Sequence, residues 1–236
     1  MHTTTRTIRR MMAAVACITI ATVNVALATP QLSAQAAATT PAAKFVDSAR
    51  VEIDSAAAAN NDARLARAIV LLDRALTAFP NDPYALHYRG FANYRRVVSL
   101  FMSGKMQEAG PFLSAAITDL QRSGDKLFWA ETYALLAAMQ GFRIALDPDL
   151  GRDLGMEIGA LTGEAMQIGP NNPRVLLLQA YSAQNTPPEY GGGVDRAREL
   201  VARALKAFET DKPLPLAPAW GKAEAVILQG TLGAKP

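Results

Sequence analysis

Tyr84, His87, Phe91 and Tyr94 follow one another in steps of 3, 4 and 3 residues, and Arg95 sits beside the last. On a helix those steps place the side chains on one face. Aromatic rings and arginine are the side chains that dominate binding hot spots. An aromatic stripe at helical spacing is equally what a helix packs into a core, so a binding face and a buried face both fit this pattern. His87 has no second histidine near it, which makes it a poor metal ligand and a poor proton carrier. A hydrogen bond is the simpler role for it.

Catalytic patterns are missing. There is no Gly-x-Ser-x-Gly elbow, no His-Glu-x-x-His and no carboxylate run with metal-loop spacing. Cys17 is the only cysteine. Loss of an N-terminal segment containing it would leave no disulfide, no zinc site of cysteine and histidine ligands and no cysteine nucleophile. The expectation is therefore a protein that is not an enzyme and needs no cofactor.

Two glycine patterns carry weaker signals. Gly151, Gly155, Gly159 and Gly163 lie four apart. In one helix they would form a bare strip costing about 4 kcal/mol relative to alanine, which close packing of a neighbouring helix would recover. A ligand lying against that backbone is the alternative. Arg152, Asp153, Glu157 and Glu164 exclude a bilayer span there. The loop Pro187-Pro188-Glu189-Tyr190-Gly191-Gly192-Gly193 reads as a structural turn. Its glycines could offer N–H groups to an anion, but no Lys-Ser/Thr pair follows, so a phosphate loop is not supported.

The 236 residues are 50% hydrophobic, 19% charged and 7% aromatic, with a net charge of +3. All of that excess lies in residues 1–36, which hold Arg6, Arg9 and Arg10 and no acid; residues 37–236 balance 21 basic against 21 acidic side chains. A body without net positive charge lacks the footprint of a nucleic-acid binder. Residues 1–36 run from basic, through an apolar stretch at Met11–Ala28, to small residues at Ala34-Gln35-Ala36. That order predicts a secretory signal peptide cleaved after Ala36 or, second, after Ala28, and hence a periplasmic or secreted protein. A retained N-terminal anchor would be the only membrane contact.

Residues 37–43 read as a flexible leader, and 44–236 as one domain of about nine helices: 44–59, 62–79, 83–102, 105–123, 125–146, 149–168, 173–185, 193–208 and 219–232. Asp82 before Pro83, and Asn172 before Pro173, are placed as helix caps with proline in the first turn. Gly124 and Asp125 are placed as the stop and cap of another junction. Pro111 either interrupts the fourth helix or sets its start. Pro213–Pro218 is an extended spacer leading to Trp220, which is expected to seal the last helices. Arg196–Phe208 matches Arg67–Phe79 without a gap at eight of thirteen positions, a sign of internal repetition.

Ala68, Leu72, Ala75 and Pro80, followed by Pro83, Leu86 and Gly90, resemble the tetratricopeptide repeat, a helix-turn-helix unit of about 34 residues. Pro173, Leu176 and Ala180 match more loosely. The resemblance implies an all-α, irregular α-solenoid of stacked antiparallel pairs, with a concave groove lined by the first helix of each pair. It places Tyr84, His87, Phe91, Tyr94 and Arg95 in that groove, with Arg174, Leu177 and Tyr181 from the later unit. The function then expected is an exported scaffold binding a peptide or envelope-protein partner. The alternative is an extracytoplasmic accessory holding a small or lipidic ligand, which a closed apolar interior would favour over an open groove.

Overall fold

Side-chain caps set the starts of three helices. Asn61 Oδ1 accepts from the Arg64 N–H at 3.2 Å, Asp82 Oδ1 from the Ala85 N–H at 2.8 Å, and Asn172 Oδ1 from the N–H groups of Arg174 and Val175. Each satisfies donors that a helix start leaves unpaired, and Pro83 and Pro173 occupy the first turns as their sequence positions predict.

The computed structural model describes residues 42–59 and 61–233. The expected signal peptide at 1–36 lies outside the described residues, as does most of the leader. Among the described residues the chain forms nine α-helices and no strand: α1 (Ala43–Ala59), α2 (Asp62–Ala78), α3 (Pro83–Met102), α4 (Gly110–Gly124), α5 (Ala130–Leu146), α6 (Gly151–Ile168), α7 (Pro173–Gln184), α8 (Val194–Phe208) and α9 (Lys222–Gly233). Short 3₁₀ turns precede α4, α6 and α8. The all-α expectation stands.

Two junctions differ from the sequence reading. α4 starts at Gly110 with Pro111 in its first turn, so the proline begins the helix. Asp125 starts no helix; it ends α4, where its backbone N–H bonds the Gln121 carbonyl at 3.1 Å, and α5 starts five residues later, behind Trp129, which makes no side-chain cap. Leu127 is buried there, and the Trp129 ring lies against Tyr84, His87 and Tyr88. Burial of Leu127 and the ring contacts of the half-buried Trp129 draw 125–129 into a loop and override the local capping signal.

Helices pack as consecutive hairpins, α1 on α2, α3 on α4, α5 on α6 and α7 on α8, with α9 against α8. The odd-numbered helices also touch each other in order, α1 to α3, α3 to α5 and α5 to α7, and so build one continuous face. No hairpin buries its own apolar side alone, and the buried side chains form one cluster running from Val46 to Leu232. Gly90 lets α3 and α4 approach: a Cβ there would come within 2.7 Å of Leu120 Cγ. The repeated segments bury equivalent positions, Ala68, Leu72 and Ala75 in α2 and Ala197, Val201 and Ala204 in α8.

Candidate functional site

The odd-helix face collects the residues that the sequence singled out. Tyr84, His87, Phe91 and Tyr94 all project from one side of α3, and all four are buried. Their neighbours come from elsewhere in the chain. Trp129 meets Tyr84 and His87 edge-on at 5.1 and 4.9 Å between ring centres; Trp220 stacks on Phe91 at 4.7 Å and 18°; Phe142 lies 6.4 Å from Tyr94. Phe91 and Tyr94 are themselves stacked at 6.0 Å. The stripe therefore belongs to a closed column of rings, where edge and offset contacts add to the gain from burial.

His87 is fully enclosed. Its Nδ1 lies 2.9 Å from Thr132 Oγ1, and its Nε2 has no hydrogen-bond partner among the described residues. Burial pushes its pKa from 6.5 down to about 3, so the ring is neutral. Burial likewise raises the Tyr88 and Tyr94 hydroxyls above their ordinary value. No cluster of three or more histidine, cysteine or acidic side chains that could hold a metal occurs among the described residues.

Two arginines face the column. Arg174, on α7, is 2% exposed, gives bonds of 3.2 and 2.5 Å to the Asp211 carboxylate, and stands 3.8 Å from Glu131. Burial raises the Glu131 carboxyl, while an Asn172 hydrogen bond at 2.8 Å lowers it. Arg95 pairs with Glu224 and lies over the rings of Phe91 and Trp220 at 4.9 and 5.7 Å. Leu177 is buried beside Gly221, and Tyr181 is half-buried against the same core.

The structure thus brings all eight sequence candidates onto or beside one face and covers that face. Trp129, Thr132, Glu131, Asp211, Trp220 and Glu224 were not among the candidates. Each enters from 35 or more residues away along the chain from its partner on α3 or α7, and no local spacing marks it. Trp220, expected at the last helices, reaches back to α3, where it stacks on Phe91.

The other two candidate features carry no site. An added Cβ at Gly155, Gly159 or Gly163 would meet nothing within 4 Å, so no helix packs on the strip. The close-packing expectation fails because α6 rests on α5 and barely reaches α7. In the 187–193 loop the three glycine N–H groups are used internally, by the carbonyls of Pro188, Pro187 and Ala183 at 2.9, 3.2 and 2.8 Å. Gly191 and Gly193 take φ of 82° and 98°, and that turn leaves no cradle of free amides for an anion. No described helix is long and apolar enough to cross a membrane.

No family model matches the sequence, and no curated protein matches it. Among solved structures, the HusA haemophore from Porphyromonas gingivalis is similar, with a TM-score of 0.53 and 23% identity over 78% of this chain and 92% of that one. At that identity the likeness concerns the fold.

Proposed function

We propose that this chain is an exported, non-enzymatic binding protein whose odd-helix face holds a small, planar, largely apolar molecule of the tetrapyrrole class. The observation that carries the reading is the ring column itself. Rigid aromatic faces, Phe91 and Trp220 above all, are stacked with a planar partner 4.7 Å away, and flat π-systems are what such faces accept. Similarity of fold to a haemophore supports the same class of cargo. The hairpins are read as irregular tetratricopeptide-like units, supported by the Gly90 contact and the matched burial of α2 and α8. A second reading, a peptide partner on the same face, is favoured by one feature: a proline-rich stretch of this chain, 213–218, folded into a turn by the Ala217 N–H to Leu214 carbonyl bond rather than extended as the sequence suggested, already lies there, with the Leu216 carbonyl accepting from the Tyr88 hydroxyl at 2.7 Å.

Titration of the purified protein with haemin and with iron-free protoporphyrin IX, read by absorbance and by quenching of Trp129 and Trp220, tests the proposal. Saturable binding of both is expected, with affinities within about tenfold because ring stacking supplies the contact. A Phe91→Leu variant, which keeps the apolar volume and loses the ring, should bind about tenfold more weakly. Absence of binding by either compound removes the reading.

A further inference from the structure

The odd-helix face is filled by the chain itself. Between Asp211 and Glu224 the polypeptide crosses α7, α3 and α1, and residues 211–221 have no helix or strand of their own. Asp211 takes Arg174, the Leu216 carbonyl takes the Tyr88 hydroxyl, the Ala217 carbonyl takes Arg50 at 3.2 Å, Trp220 stacks on Phe91, and Glu224 takes Arg95. In order along the segment this is an acid, a ring and an acid. Facing it are an arginine, a ring and an arginine.

The fit is imperfect in a consistent direction. Arg174 Nε, Arg95 Nε and Trp220 Nε1 are buried without a hydrogen-bond partner among the described residues. All three are donors, so the contact is short of acceptors. Leu216 is the one non-glycine residue with positive φ, 62°, among the described residues, a conformation that L-residues with a Cβ disfavour. The segment is held by two charge pairs, one ring contact and the buried Leu216 and Trp220 side chains; strained at Leu216 and without the hydrogen-bond ladder of a helix or strand, it is the kind of element that opens locally before the rest of a fold.

We infer that Arg95 and Arg174 form a carboxylate-binding pair flanking the Phe91 ring, and that residues 211–224 are a built-in occupant which a planar, carboxylate-bearing ligand displaces. Asp211 and Glu224 stand where the ligand's carboxylates bind, and Trp220 where its ring binds. The inference rests on the small-ligand reading above and adds which groups the ligand must carry and what must leave.

Hydrogen exchange of the purified protein, alone and saturated with protoporphyrin IX, tests it, with protoporphyrin IX dimethyl ester as the probe lacking free carboxylates. Saturation should speed exchange at 211–221 by about tenfold or more while α7 and α8 stay protected. The ester should bind at least about tenfold more weakly than the acid. Glu224→Gln, which removes the competing carboxylate, should tighten binding of the acid; if that variant does not fold, exchange in the unaltered protein decides alone. Binding of the acid with unchanged or slower exchange at 211–221 overturns the displacement and leaves the small-ligand reading standing. Absence of acid binding to the unaltered protein removes both.

Discussion

α3 and α6 are similar in length, 20 and 18 residues, and each carries a regular stripe in the sequence. α3 buries eleven residues and α6 two. The aromatic stripe of α3 became the centre of the molecule because four other helices, α1, α2, α4 and α5, and the C-terminal segment converge on α3. The glycine stripe of α6 is uncovered because α6 is the outer member of its hairpin and, among the described residues, nothing packs on its far side. Periodicity tells which residues share a face; it does not tell whether that face meets protein or solvent.

The contrast can be broken most strongly through pH. Below about 6.5 the unfolded chain binds a proton at His87 that the native state refuses until about pH 3. Stability is therefore retained above pH 6.5 and falls as pH drops through that window, by up to about 1.4 kcal/mol per pH unit and about 5 kcal/mol in all. Glu131, raised by burial, works in the opposite sense. Urea unfolding of the unaltered protein and of His87→Gln across pH 7 to 4 isolates the histidine: the variant's profile should be flatter, and parallel profiles would contradict a buried neutral imidazole.

Truncation of the stripe comes next. Phe91→Ala should cost about 3–5 kcal/mol in equilibrium unfolding, the range for a buried ring, whereas a cost below about 1 kcal/mol would mean that the column is open in solution. The flank of α3 offers a smaller effect. Arg89 grips Asp119 of α4 through two bonds of 2.7 Å, with the acid 2% exposed. Asp119→Ala should cost about 2–3 kcal/mol, less than a fully buried pair, since Arg89 keeps Asp73 and partial contact with water.

The smallest change has the opposite sign and lies on α6. Gly155→Ala and Gly159→Ala should each raise stability by up to about 1 kcal/mol, because alanine costs less in a helix interior and the new methyl meets nothing. A loss on thermal unfolding would show that this face is covered in solution by something outside the described residues.

Much of the architecture was legible in advance. All nine helices occur in the order the sequence places them, α4 and α5 each starting five residues later than read, and the caps at Asp82 and Asn172 form as read, since a cap needs only a side-chain oxygen within three residues of the amides it serves. Asp125 shows where that locality ends: it closes α4 but starts no helix, its N-cap role lost to burial of Leu127 and the ring packing of Trp129. The site was half legible. Tyr84, His87, Phe91, Tyr94 and Arg95 could be placed on one face, whereas Asp211, Trp220 and Glu224 could not be assigned to it.

What the chain's order of residues determines by itself is therefore the set of amphipathic segments, their starts and the composition of each face, because those depend on contacts within a turn or two of helix. Which face is enclosed, which arginine meets which acid, and the return of residues 211–224 across α7, α3 and α1 were decided only by tertiary packing. These are pairings across up to 167 residues of chain, fixed by the competition among apolar surfaces for a single core.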